Sequence, residues 1–130
     1  MPQDRVAIKL RLQQAIDSAM RVHTALGPGL LEGAYEACLA QELRWRGIAV
    51  RTQVTQPVTY RSVAIDNGYR IDLLVDDMVV LELKSVATLL PVHEAQLLSY
   101  LKLGGHRAGL LINFHVPRLK DGIKRMVNGL

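Results

Sequence analysis

The chain has 130 residues but one cysteine, one tryptophan, one phenylalanine and four tyrosines. A lone cysteine, Cys38, cannot close an intrachain disulfide, so stability must come from packing. Cys38 falls inside a predicted helix, where a buried thiol serving as a small hydrophobe is the expectation. Aromatic residues make up 5% of the chain and apolar residues 49%, so the core must be aliphatic. No apolar run approaches the roughly 20 residues of a membrane span, and residues 1–10 carry no signal-peptide pattern. The expected location is the cytoplasm, without membrane contact. Neither Gly27-Pro28-Gly29 nor Gly104-Gly105 is followed by Lys-Ser/Thr, which excludes a phosphate-loop nucleotide enzyme. Repeats, linkers, low-complexity tracts and a sequence-reading DNA helix are all missing. A single domain over residues 1–130 is expected, burying about two-thirds of its unfolded surface.

What is present is first a charge asymmetry. The net charge is +4, yet residues 101–130 hold six basic residues against Asp121 alone. A basic end fits a phosphate-bearing partner, and a solvated helix face accounts for it equally well. Periodicity predicts a helix over 5–25, with Ile8, Leu12, Ala15, Ala19, Val22 and Leu26 inward. Gly27-Pro28-Gly29 ends it. A second helix is expected over 30–46, burying Leu31, Tyr35, Cys38 or Leu39, and Leu43, with Gly47 as its cap. Residues 48–54 alternate as a half-buried strand. Residues 58–65 read as a strand leading through Asp66-Asn67-Gly68, a hairpin signal, into Tyr69. Pro91 opens a helix that Gly104-Gly105 closes. Residues 108–114 form an apolar run suited to a strand buried on both faces and parallel to 79–84. Pro117 is expected to start a terminal helix with Leu119, Ile123, Met126 and Val127 inward.

The chain is organised around residues 69–84. Two apolar runs flank an acidic turn, and charged residues interrupt each: Asp72 in the first, Glu82 and Lys84 in the second. Such residues are costly inside strands unless they pair or hold a metal. Alternation puts Glu82 and Lys84 on one face. A two-residue turn would set the carboxylates on opposite faces, whereas a three-residue turn (Asp76, Asp77, Met78) sets Asp72 across from Glu82. We expect the second register, which suits two carboxylates holding one hard cation.

Asp72 followed by Glu82-Leu83-Lys84 resembles the catalytic signature of the PD-(D/E)XK nuclease superfamily. Gly29-Leu30-Leu31-Glu32-Gly33-Ala34-Tyr35 is similar to the motif of the GxxExxY proteins, a bacterial branch placed in that superfamily. Gln96-Leu97-Leu98-Ser99-Tyr100 resembles the Gln-x-x-x-Tyr element of recombination-type exonucleases in it. The likeness runs over about 23–114. It implies an α/β fold, one small domain with a mixed β-sheet flanked by helices and a restriction-endonuclease-like core (αβββαβ). It also implies a Mg²⁺- or Mn²⁺-dependent hydrolase of phosphodiester bonds, with DNA as the expected polymer. Asp72, Glu82 and the Leu83 carbonyl would hold the metal, Glu32 would reach it through water, and Lys84 would assist the attacking water. Gln96 and Tyr100 would line the groove. Glu36 is read as complementing the helix dipole, and His23 as structural. The competing expectations are a catalytically silent nuclease-fold module that binds nucleic acid or protein, and a structural triad in which Lys84 pairs with Glu82. A homodimer or a partner protein would extend the short surface of so small a domain.

Overall fold

The computed structural model describes residues 5–130. Residues 1–4, part of the stretch searched for a leader, lie outside the described residues. Helix α1 (Arg5–Leu26) and helix α2 (Glu32–Trp45) precede strands β1 (Val50–Thr55), β2 (Val58–Tyr60), β3 (Val63–Ile65), β4 (Arg70–Val75) and β5 (Val79–Lys84). Helix α3 (Pro91–Gly104), strand β6 (Ala108–Asn113), a 3₁₀ turn (Leu119–Gly122) and strand β7 (Ile123–Val127) follow. Five strands form one mixed sheet in the order β1-β4-β5-β6-β7. With its three helices this is the small α/β domain expected.

The periodicity of α1 is realised: Ile8, Leu12, Ala15, Ala19 and Val22 are buried, while Leu26 at its end is exposed. Helix α2 starts at Glu32 rather than residue 30. Leu31 is its extended N-terminal cap and lies 84% exposed, so it is not the core residue expected. Leu39, not Cys38, takes the inward position. Cys38 is exposed, which corrects the expectation of a buried thiol.

The turn at the centre of the chain has the longer form. Asp76 and Asp77 both adopt left-handed φ angles, 51° and 53°, which aspartate tolerates better than most residues. Pairs Leu73–Leu81, Leu74–Val80 and Val75–Val79 leave residues 76–78 as the connection. The next step of that register sets Asp72 across from Glu82. Strand β6 is buried along its whole length and runs parallel to β5, with α3 in between, as expected. Gly109 permits α3 to sit close to the sheet, since a Cβ there would lie 3.1 Å from the Leu97 side chain and 3.2 Å from that of Leu101.

Two further expectations fail. Residues 58–65 are not one strand: β2 and β3 form their own hairpin, apart from the main sheet. Its turn is Arg61-Ser62, with φ of 49° and 67°. Asp66 and Asn67 do turn the chain, accepting hydrogen bonds from the N–H groups of Gly68 and Tyr69. The strand that follows pairs with β1 instead of β3, because β4 carries the apolar residues Ile71, Leu73 and Val75 that gain most from the central sheet. The terminal helix is likewise a strand. After the 3₁₀ turn, β7 pairs antiparallel with β6, Leu110 opposite Arg125. Without it the buried strand β6 would leave a row of backbone groups unpaired, a larger penalty than a short, marginal helix could offset.

Two apolar clusters result. The larger joins α1 and α2 (Leu12, Tyr35, Leu39) to one sheet face, Leu73, Val75, Val79, Leu81 and Leu83 among it. The smaller joins α3 (Leu97, Tyr100, Leu101) to Leu74, Val80 and Leu111. Alternation assigns Asp72 to the face of Leu74, and Glu82 and Lys84 to that of Val80.

Candidate active site

The two central carboxylates interlock. The N–H of Asp72 donates to Glu82 Oε1 at 3.1 Å, and the N–H of Leu83 donates to Asp72 Oδ2 at 2.8 Å. Each carboxylate therefore takes a backbone donor from the other's strand, which holds both side chains in place. Among the described residues no backbone N–H donates to Asp72 Oδ1 or Glu82 Oε2. Glu82 is only 6% exposed. Burial, reinforced by the Asp72 charge, pushes its carboxyl up to about 8. Asp72 is also raised by burial, opposed by the Leu83 N–H, Gln53 and Lys84. Lys84 is half-buried, and its charge favours the ionised form of both acids. Yet among the described residues no carboxylate lies within 4 Å of its ammonium. A structural Lys84–Glu82 ion pair is therefore not formed.

This donor set fits a hard divalent cation. Two adjacent, poorly solvated carboxylates carry more negative charge than their surroundings offset, and each has one oxygen that no backbone N–H among the described residues engages, Asp72 Oδ1 meeting only Gln53 Nε2 at 3.4 Å. Among the described residues no group of three or more His, Cys, Asp or Glu gathers closely enough to hold a metal. The protein's share would be two carboxylates and a backbone carbonyl, a sparse shell of the kind Mg²⁺ accepts because it retains water.

The motif Gly29-x-x-Glu32-x-x-Tyr35 acquires a physical explanation. Tyr35 is fully buried and stacks on Phe114, ring centroids 4.3 Å apart and 9° from parallel. Its hydroxyl donates to the Gly27 carbonyl and accepts from the Leu30 N–H at 3.1 Å. Ser85, next after Lys84, donates through Oγ to the Leu30 carbonyl at 2.7 Å. The α1–α2 loop is thus tied both to the core and to the end of β5. Exposed Glu32 emerges from that anchored loop near enough for its charge to raise Glu82 and Glu36 further. It stands beside the acidic pair as a neighbour, outside any tight cluster.

Sequence reasoning missed Gln53 and misread Glu36. Gln53 lies between the pairs Thr52–Leu73 and Val54–Ile71, opposite Asp72, with a left-handed φ of 51°. Its Nε2 donates to Glu36 Oε1 at 2.6 Å and reaches Asp72 Oδ1 at 3.4 Å. Glu36 is thereby tied into the site, its carboxyl raised chiefly by burial and opposed by the Gln53 bond. Only the β1–β4 register reveals this. Asn113 was also missed. Paired with Lys84 across β5–β6 and 98% buried, it accepts from the Val86 and His115 N–H groups and donates to the Val86 carbonyl. That amide fixes the chain just beyond Lys84.

On α3, Gln96 Nε2 donates to the Tyr100 hydroxyl at 3.1 Å, so the two share a face as expected. Tyr100 is buried within the smaller cluster. Desolvation raises its phenol, with Glu82 the next contribution, which places the ring near the acidic pair. His93 caps its own helix, its Nδ1 accepting the Leu90 N–H. His23 bonds the Val116 carbonyl through Nε2 at 2.8 Å, a structural role, as read from the sequence.

No helix among the described residues is long and apolar enough to cross a membrane. Neither a curated protein nor a solved structure matches the chain. A family profile described as the PD-(D/E)XK nuclease superfamily matches residues 10–126, nearly the whole chain and every element that builds the interlocked carboxylates, and the chain belongs to that superfamily.

Proposed function

We propose that this protein is a Mg²⁺- or Mn²⁺-dependent nuclease that hydrolyses phosphodiester bonds, with DNA as its polymer, in the cytoplasm. The observation that carries the reading is the interlocked Asp72–Glu82 pair with Lys84 beside it and uncommitted to either acid. Asp72, Glu82 and the Leu83 carbonyl would hold the cation, with Glu32 contributing through water. A cation so held supplies Lewis acidity to the scissile phosphate and lowers the pKa of an attacking water. Lys84 offers a point-charge ammonium that orients the water or offsets charge developing on the phosphate. Gln53 restrains Asp72 and Glu36, and Gln96 and Tyr100 form the wall of the groove on the α3 side. Basic residues on and around β7 attract the anionic strand. The Gly29–Tyr35 motif supports placement in the GxxExxY branch. A second copy of the chain or a partner protein would extend the binding surface.

A second reading is favoured by the sparse ligand set: a catalytically silent module that keeps the fold and binds nucleic acid or protein. Cutting assays on single- and double-stranded DNA and on RNA separate the two, run in Mg²⁺, Mn²⁺ or chelator. Chelator-sensitive cutting that disappears in both Glu82→Ala and Lys84→Ala is the expected result. Equal cutting by wild type and variants would identify a contaminant. No cutting by any preparation, with no Mn²⁺ between Asp72 and Glu82 in a soaked crystal, would establish the silent module.

A further inference from the structure

We propose that Tyr69 and the adjoining face of α3 form a subsite for one unpaired nucleobase next to the reacting phosphate; this rests on the nuclease reading. A cavity of about 480 Å³ opens between Tyr69 and the α3 residues His93, Gln96, Ser99 and Tyr100, a volume suited to a small ligand. Tyr69 is 45% exposed and is no core residue. Its backbone is nonetheless well held: its N–H donates to Asn67 Oδ1, and its carbonyl accepts from the Gln56 N–H and from the Arg70 guanidinium. The ring stands edge-on to Tyr100, centroids 5.9 Å apart at 63°. A half-exposed aromatic ring is thus presented from a fixed backbone, against a second ring that α3 packs onto the sheet.

The position ties the cavity to the acidic pair. Tyr69 precedes Asp72 by three residues, about 10 Å at the rise of an extended chain. Tyr100 packs with Leu74 and Val80, each two residues from a central carboxylate. The lining chemistry selects a base over a phosphate. Among the described residues no lysine or arginine lines the cavity; it offers aromatic and aliphatic faces, an amide, a hydroxyl and an imidazole. His93 uses Nδ1 on its own helix, leaving Nε2 for a ligand. Aromatic faces accept any base by stacking, and the amide and imidazole can meet its polar edge. A base stacked within a duplex cannot enter, so the subsite favours single strands or frayed ends.

Fluorescence anisotropy with labelled oligothymidylate, in chelator to prevent cutting, tests this. Tyr69→Ala should weaken binding about tenfold, and Tyr69→Phe should bind within about twofold of wild type. An abasic nucleotide is then moved along the oligonucleotide. At one position it should cost wild type about tenfold and Tyr69→Ala nothing further, a coupling that loss of packing against Tyr100 would not produce. Equal abasic penalties in both proteins, or unchanged binding by Tyr69→Ala, would overturn the subsite while wild-type cutting leaves the nuclease reading standing. If wild type neither binds oligothymidylate nor cuts any polymer, the nuclease reading fails and the subsite fails with it.

Discussion

The two faces of the central sheet are built from alternate residues of the same strands and do different jobs. Toward α1 and α2, β4 and β5 present Leu73, Val75, Val79, Leu81 and Leu83, all essentially inaccessible to water. Toward α3 the same strands are apolar beside their connecting turn, with Leu74 and Val80, and charged at the far end, with Asp72, Glu82 and Lys84. One face is a continuous aliphatic core. The other stops short of one, and the stretch where packing is given up is where charge is concentrated. Stability and chemistry are thus separated by a single step in sequence, and neighbouring residues should respond to substitution in opposite ways.

Glu82 and Leu81 offer the sharpest contrast. Glu82→Gln keeps shape but removes a carboxylate that nothing nearby fully offsets. Cutting should fall by about 10²–10³-fold or more, while the thermal midpoint above pH 8 stays level or rises. Leu81→Ala, one residue earlier, empties a fully buried site and should cost about 2–5 kcal/mol. Urea unfolding should show that loss, and the molecules that remain folded should cut at close to the wild-type rate. If Leu81→Ala abolished cutting in folded protein, or Glu82→Gln lowered stability as far as Leu81→Ala does, the division between the faces would not hold.

A second test of the charged face uses pH. Glu82 ordinarily titrates near 4.5 and is raised to about 8 in the fold, first by burial and then by Asp72. Folding therefore favours its protonated form. That contribution to stability is complete below about 4.5 and is lost as pH rises through about 8. Metal-free protein should melt at progressively lower temperature across that window, and Glu82→Gln should flatten the slope. Mg²⁺ or Mn²⁺, which binds the ionised form, should raise the melting temperature more at pH 8 than at pH 5.5. A pH-independent metal effect would show binding elsewhere on the protein.

How far the sequence revealed this site depended on the range of the interactions involved. The three-residue turn was legible because only one connection length lets Asp72 and Glu82 share a cation, and local chemistry selected it. The parallel pairing of β5 and β6 followed from the length of the crossover. The strand β7 did not, because its apolar spacing suits a helix equally well and the deciding fact is the unpaired edge of β6, which no local pattern reports. Gln53 and Glu36 escaped for a related reason. They meet Asp72 only through the β1–β4 register, and that register required knowing that β3 leaves the sheet. Cys38 was misplaced by one position on the helix, where Leu39 fills the inward site. Placements set by neighbours along the chain, including the hairpin that brings Asp72 to Glu82, were legible, and those set by the order of strands in the sheet were not.

Tyr35 tests where the two faces meet. Its ring belongs to the aliphatic core, stacked on Phe114, but its hydroxyl organises the loop that presents Glu32 to the charged face. Tyr35→Phe keeps the ring and removes only those bonds, so the stability loss should be about 1 kcal/mol. Hydrogen exchange at the Leu30 amide should speed up, since its acceptor is gone. Glu32→Gln, which leaves the loop intact, supplies the control. A few-fold fall in cutting in both variants would mean that the tyrosine acts by placing the glutamate. A fall in Glu32→Gln alone would mean that the Ser85–Leu30 bond suffices to hold the loop. Unchanged cutting in both would remove Glu32 from the site and leave Tyr35 as a core residue with a buried hydroxyl to satisfy.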